Sequence, residues 1–258
     1  MKLIFLGTGT SQGVPVIGCR CEVCSSTDAR DSRLRTSAYI EAEGLSIVID
    51  AGPDFRQQML RHKVSRLDAI LLTHQHKDHT AGIDDVRAFN FVDFPTIRPM
   101  HIFGNEATIE TITKDFDYAF AVDKYRGVPV IELHTISAEE PFTVAGHEVV
   151  AIEGSHSERF KVLGFRFGKL AYLTDFSAIS EAEVAKLEGV DTLVVNALRW
   201  AKHSSHFSVS EALELIARVK PRRAYLTHLS HDIGLHAEAV RRLPDGVEFA
   251  YDGLEIDV

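Results

Sequence analysis

A chain of 258 residues, 45% hydrophobic and 25% charged, is long enough to bury a core without disulfide support. Its formal net charge of −9 argues against a general nucleic-acid binder, which would carry a basic stripe. Its three cysteines all fall between positions 19 and 24, which argues against a disulfide framework.

The N-terminal KLIFLGTG reads as a strand. Its apolar run, Leu3 to Leu6, is too short for the hydrophobic region of a signal peptide. No run elsewhere approaches the roughly 20 residues that span a bilayer. A cytoplasmic protein without membrane contact is expected. Gly7, Gly9 and Gly13 follow the strand and serve either tight turns or the approach of an anion. GCRCEVC then places Cys19, Cys21 and Cys24 in a loop, as metal ligands, a redox motif or surface thiols. SAYIEAEG alternates and turns at Gly44. LSIVIDAG is a buried strand ending at Asp50, and Asp54 reads as the N-cap of a helix through FRQQMLRH. LDAILLTH is a strand ending at His74.

Residues 84–140 are the least periodic. They hold Phe89, Phe91, Phe94, Phe116, Tyr118, Phe120 and Tyr125, and read either as an aromatic-rich insertion that covers a site as a lid or as extra core packing. Beyond them EVVAIEG, LGFRFGK, KLAYLTD, DTLVVNA and RRAYLTH read as strands. Ser180 with Glu183 and Ser208 with Glu211 form capping-box patterns. The second opens a helix with Val209, Ala212, Leu213, Ile216 and Val219 at helical spacing, stopped by Pro221. This order predicts an α/β protein of packed sheets with helices outside, in one domain over 1–258.

Polar residues gather where apolar strands end: Asp50, the block THQHKDH, His156, Asp175 and His228. Loops at strand ends hold ligands while leaving one side open. In an extended segment His74 and His76 point the same way and can share a cation, and Asp78 and His79 follow a bend and can reach a second. Taken alone, a histidine placed like His156 is more often a capped or surface histidine, and Asp175 reads also as an N-cap.

The block His74-x-His76-x-Asp78-His79 resembles the signature of the metallo-β-lactamase superfamily. The resemblance implies a four-layer αβ/βα sandwich and two divalent metal ions, Zn or Mn. His74, His76 and His156 would hold the first, Asp78, His79 and His228 the second, and Asp175 would bridge them. The chemistry implied is hydrolysis by a water that the metals activate. Asp78 and His206 are the expected catalytic residues. His206, in HSSHFSVSEAL, is similar to the general acid of phosphodiesterases of this superfamily, with His203 as competitor and a plain polar loop as the other reading. Arg199 and Lys202 add charge to the pocket or to the surface.

The N-terminal FLGTGTSQGVPVIGCRCEVC and the later LTHLSH resemble the PhnP-type phosphodiesterase subgroup. There the resemblance implies one structural Zn on Cys19, Cys21, Cys24 and His231, a Cys₃His site. The expected substrate is a small or cyclic phosphate diester, and a homodimer is implied by the family alone. A ribonuclease Z-like tRNA-processing nuclease is the alternative, though no basic arm is visible, and long nucleic acid is not the expected partner. A lactonase or thioesterase on the same fold is a further alternative.

Overall fold

The computed structural model describes residues 1–258. In chain order the first strands are β1 (Lys2–Gly7), β2 (Ser37–Ala42), β3 (Leu45–Ile49), β4 (Ala69–Leu71), β5 (Met100–Gly104) and β6 (Ile131–Thr135). There follow β7 (Phe142–Val144), β8 (His147–His156), β9 (Phe160–Phe167), β10 (Leu170–Leu173) and β11 (Ala178–Ile179). The last are β12 (Thr192–Asn196), β13 (Arg223–Thr227), β14 (Val247–Phe249) and β15 (Glu255–Asp257). One sheet runs β15-β1-β2-β3-β4-β5-β6, and the other β11-β8-β9-β10-β12-β13-β14, with β7 paired to β8.

The two sheets repeat one plan. Each begins with antiparallel pairs and ends with three parallel ones, β3 through β6 in the first and β10 through β14 in the second. Parallel strands must be covered on both faces, so the central ones, β3, β4, β10 and β12, are largely apolar. In β3, Leu45, Ile47 and Ile49 face the space between the sheets, where they meet Phe165 and Tyr172. Val48 points the other way, into a layer with Phe55, Met59 and Ile112 from the helices outside. The second sheet is covered in the same manner, its Leu193 and Val195 packing with Ala212 and Leu215. The architecture is the expected sandwich, helix layers outside two sheets. No helix is long and apolar enough to cross a membrane.

The helices that matter for the site are α1 (Phe55–Arg61), α2 (Lys77–Thr80), α3 (Arg87–Asn90), α4 (Glu106–Asp115), α5 (Asp117–Phe120), α6 (Glu181–Ala185), α7 (Val209–Val219) and α8 (His236–Ala239). Ser208 and Glu211 do close a reciprocal capping box on α7. Two cap expectations are corrected. Asp54 precedes α1 but makes no cap, because its carboxylate takes the backbone N–H and guanidinium of Arg35. Ser180 does cap α6, its hydroxyl accepting the Glu183 N–H at 3.3 Å, but the box does not close, because the Glu183 carboxylate is taken by the Glu153 N–H and the Lys186 ammonium.

The segment 84–140 is also different from the lid reading. It supplies β5 and β6 to the first sheet and α3, α4 and α5 beside it, so much of it is scaffold. Ile102 and Ile112 are fully buried there, while Phe94 is 75% exposed.

Candidate metal centre

Three of the strand-end residues singled out in the sequence stand at a sharp reversal of the backbone. Asp50 (φ 62°), Asp175 (φ 65°) and His228 (φ 58°) all occupy the left-handed region, which in a non-glycine residue costs on the order of 1–3 kcal/mol. The three positions follow β3, β10 and β13, and the reversal turns each side chain out of its strand's alternation. All three are essentially buried.

These turns gather the block after β4 with the partners from the second sheet. His74 Nε2 lies 3.0 Å from His76 Nδ1, and donor atoms of His74, His76 and His156 converge within 4.8 Å of one another. His156 Nδ1 bonds to the carbonyls of Asp175 and Ser205, both at 2.9 Å, which leaves Nε2 as its free donor atom. A second group joins His74, His79 and Asp175 within the same limit. His79 Nε2 stands 3.1 Å from Asp78 Oδ2 and 3.4 Å from Asp175 Oδ2, and His228 Nδ1 stands 3.3 Å from the same Asp175 oxygen. Asp175 therefore sits between the two halves of the cluster, and all seven residues expected as ligands are in one place.

The electrostatics are those of a cage made for positive charge. Burial works against a charged His79, yet Asp175, Asp78 and Asp50 together hold it well above the ordinary imidazole range. Burial likewise works against an ionised Asp175, but His228 and His79 hold it well below the usual carboxylate range. Burial, then His79, push His74 well down, and burial lowers His228. His79 Nε2 and His228 Nε2 are buried without a hydrogen-bond partner. Unpartnered imidazole nitrogens beside buried carboxylates are costly unless a cation completes them, so the residues fit divalent ions.

The cysteine loop meets a histidine some 200 residues away. Sγ of Cys19, Cys21 and Cys24 lies 3.4, 3.3 and 3.5 Å from His231 Nδ1. A tetrahedral zinc with ordinary Zn–S and Zn–N bonds separates sulfur from nitrogen by about 3.6 Å. The thiols are unpaired with one another. A bond from the Cys24 backbone N–H, then His231, pulls the Cys21 thiol down to about 6. The Cys₃His group thus fits a structural metal. It also ties the N-terminal loop to the turn that carries His228, since Thr10 N–H bonds to Leu229 O and Leu229 N–H to Thr8 O.

His206 lies over the cluster. Its ring centroid is 4.8 Å from those of both His156 and His228, and its Nδ1 is 3.5 Å from Asp175 Oδ1. Burial, then His228, push it down to about 3. His203 stands outside, exposed, accepting from Ser205. Arg199 and Lys202 bring little to the site, because they pair with Asp232 and Glu211. The glycine loop is no anion cradle either: the N–H groups of Gly9, Thr10 and Gly13 are all bound to carbonyls, and a Cβ on Gly9 would stand 2.9 Å from two carbonyl oxygens.

Sequence reasoning missed the groups that support the ligands. Asn196 receives the Phe176 N–H and donates to the Phe176 carbonyl, which fixes the turn at Asp175. Thr36 Oγ1 is 3.2 Å from His228 Nδ1, and Thr73 Oγ1 is 3.0 Å from His74 Nδ1. Phe160 walls one side, 5.0 Å from the His76 ring. Only Asn196 had a visible cue, as the polar end of an apolar run.

The profile described as the beta-lactamase superfamily domain matches residues 46–229, well over half of the chain. The chain belongs to the metallo-β-lactamase superfamily. Among solved metallo-β-lactamase-fold proteins, a structure described as a new diphosphatase from the PhnP family is 38% identical, with a TM-score of 0.91 over 100% of this chain and 97% of that one. Zn(2+)-bound PqqB from Methylobacterium extorquens shares the fold, with a TM-score of 0.79, 19% identity and 100% of both chains covered. An octanoyltransferase of Porphyromonas gingivalis is 38% identical over 257 residues, 99% of this chain and 51% of that protein. The chain therefore spans about half the length of that relative.

Proposed function

We propose that this metallo-β-lactamase-superfamily hydrolase cleaves small phosphate diesters, cyclic ones included, and the related diphosphate linkage, in which the second substituent on phosphorus is itself a phosphoryl group. The observation that carries the reading is the place of His206, equidistant from His156 and His228, its Nδ1 3.5 Å from Asp175 Oδ1 and without a hydrogen-bond partner. A group so placed can meet a phosphoryl oxygen lying against the cluster.

His74, His76 and His156 would hold one cation and Asp78, His79 and His228 a second, with Asp175 shared. When bound, two such ions supply an activated water and positive charge against the oxygens of the transition state. The chain's own residues do the rest. Asp175 Oδ1 faces the His206 ring at 3.5 Å. Surrounded by histidines and out of solvent, free His206 is neutral at pH 7. A phosphate oxyanion against the ring acts in the opposite sense, so His206 gains its second proton with the substrate and passes it to the leaving oxygen. Phe160 shields one side of the cluster, its ring 5.0 Å from that of His76.

The likeness to a PhnP-family diphosphatase supports phosphoryl chemistry over a lactone or thioester. The ribonuclease Z-like reading is weakened by the net charge of −9 and by the pairing of Arg199 and Lys202 with acids. Octanoyl transfer we assign to the part of the Porphyromonas protein that this chain does not match, since all three thiols here converge on His231.

The test is a substrate panel with the metal-reconstituted protein: a 2′,3′-cyclic nucleotide, bis-p-nitrophenyl phosphate, a dinucleoside diphosphate, a lactone and a tRNA precursor. Turnover of the first three supports the proposal. Turnover of the lactone or the tRNA precursor alone overturns it.

A further inference from the structure

A second constellation of metal-binding side chains lies on β5 and β6, apart from every residue assigned above. In these parallel neighbours His101 stands opposite Glu132 and Phe103 opposite His134. The two-residue period of a strand puts all four side chains on one face. Phe103 is buried between the sheets and stacks on the His134 ring at 4.4 Å and 16°, which fixes that ring. His101 Nδ1 then lies 2.9 Å from His134 Nε2 and 3.3 Å from Glu132 Oε2. All three donor atoms fall within 4.8 Å of one another.

We propose that His101, Glu132 and His134 bind one borderline divalent cation of the Zn²⁺ class. Two imidazoles and a carboxylate are a ligand set that such ions take with a fourth position open. His101 and His134 line a cavity of ≈ 360 Å³ whose other walls include Asp68, Thr143 and Ala145, so a water or small anion has room to complete the shell. The site is open to solvent, with the His101 side chain 43% exposed. It is not a second view of the first centre. His101 pairs with Ala69 at the start of β4, while His74 lies beyond that strand's end. β6 is the last strand of its sheet, and a cation here joins that unpaired edge to its neighbour.

The experiment starts from protein already carrying its metals, passed through a desalting column and dialysed against limiting Zn²⁺. Wild type should take up one further Zn²⁺. His134→Gln should bind it at least tenfold more weakly and Glu132→Gln should fall between, while both retain the metals bound beforehand. Equal uptake by wild type and His134→Gln, or no further uptake by wild type, overturns the site. Diethyl pyrocarbonate labelling of wild type, mapped by mass spectrometry, needs no variant. Zn²⁺ should protect His101 and His134 while the half-buried His147, outside the site, is labelled as before, and unchanged labelling of the pair contradicts the proposal.

Discussion

Asp50 Oδ2 lies 2.7 Å from His79 Nδ1, with both side chains shut away from solvent. The carboxylate is itself pinned by the next strand's turn, where the Thr73 N–H and hydroxyl donate to it at 2.8 and 2.9 Å. A proton held on Nδ1 leaves His79 Nε2 as the atom that faces Asp78 and Asp175. Replacing Asp50 with Asn removes the charge and keeps the volume. We expect divalent-metal affinity to fall about 10–100-fold, as for other supporting carboxylates behind a ligating histidine. Chelator competition would measure it, with circular dichroism as the control for folding, and unaltered affinity would show that the pair only packs.

The cysteine clip should be separable from the chemistry. Cys21→Ser should lose one metal per chain and lower the melting temperature, because the loop 19–24 is then no longer joined to His231. The His and Asp cluster keeps its own ligands, so the metals bound there should stay. Elemental analysis of the variant beside wild type checks this, and an unchanged metal count would remove the structural-metal assignment.

Gly52 carries a steric constraint on the metal block. A Cβ there would stand 1.9 Å from the Asp78 carbonyl oxygen. Gly52→Ala must push the start of α2 away, shifting Asp78 and His79 together. The expected cost is about 1–3 kcal/mol or more in a denaturant titration, with weaker metal binding alongside. A variant with wild-type stability would mean that this backbone yields easily.

Stability should fall on mild acidification for a reason remote from the cluster. His236 is nearly buried, its Nδ1 3.4 Å from the Arg33 guanidinium and its backbone N–H bound to Asp31. Burial first, then Arg33 and Arg30, push it from 6.5 down to about 4, against the smaller opposite pull of Asp31 and Asp28. The unfolded chain takes this proton near pH 6.5 and the folded chain only near 4. Between those values the unfolded state binds more protons, so stability is complete above 6.5 and declines as pH falls. Linkage makes the loss about 2 kcal/mol at pH 5. Urea titrations of wild type and His236→Asn at pH 7 and pH 5 should converge toward the lower value, and parallel losses would exclude His236 as the cause.

How far the sequence can be read depends on whether a residue's meaning is local. The block from His74 to His79 is legible because four potential ligands in six residues after an apolar strand have few other uses. Ser208 and Glu211 are legible because a capping box is closed within one turn. Asp54 fails the same kind of reading because Arg35, 19 residues upstream, takes its carboxylate. β5 and β6 escape notice because they are short, and His101, Glu132 and His134 interrupt their apolar runs. Thr36 looks like any strand-edge threonine until the fold brings His228 to it across 192 positions.

The measurement closest to the central claim is ³¹P NMR of a 2′,3′-cyclic nucleotide incubated with protein stripped by chelator and then reloaded with Mn²⁺ or Zn²⁺ in steps. The account predicts no cleavage in the stripped protein, and opening of the cyclic diester to a monoester as the His and Asp cluster fills. It also predicts a rate about 10²–10⁴-fold lower in fully reloaded His206→Ala. Cleavage by the stripped protein at the reloaded rate, or an intact diester at every metal loading, would contradict it.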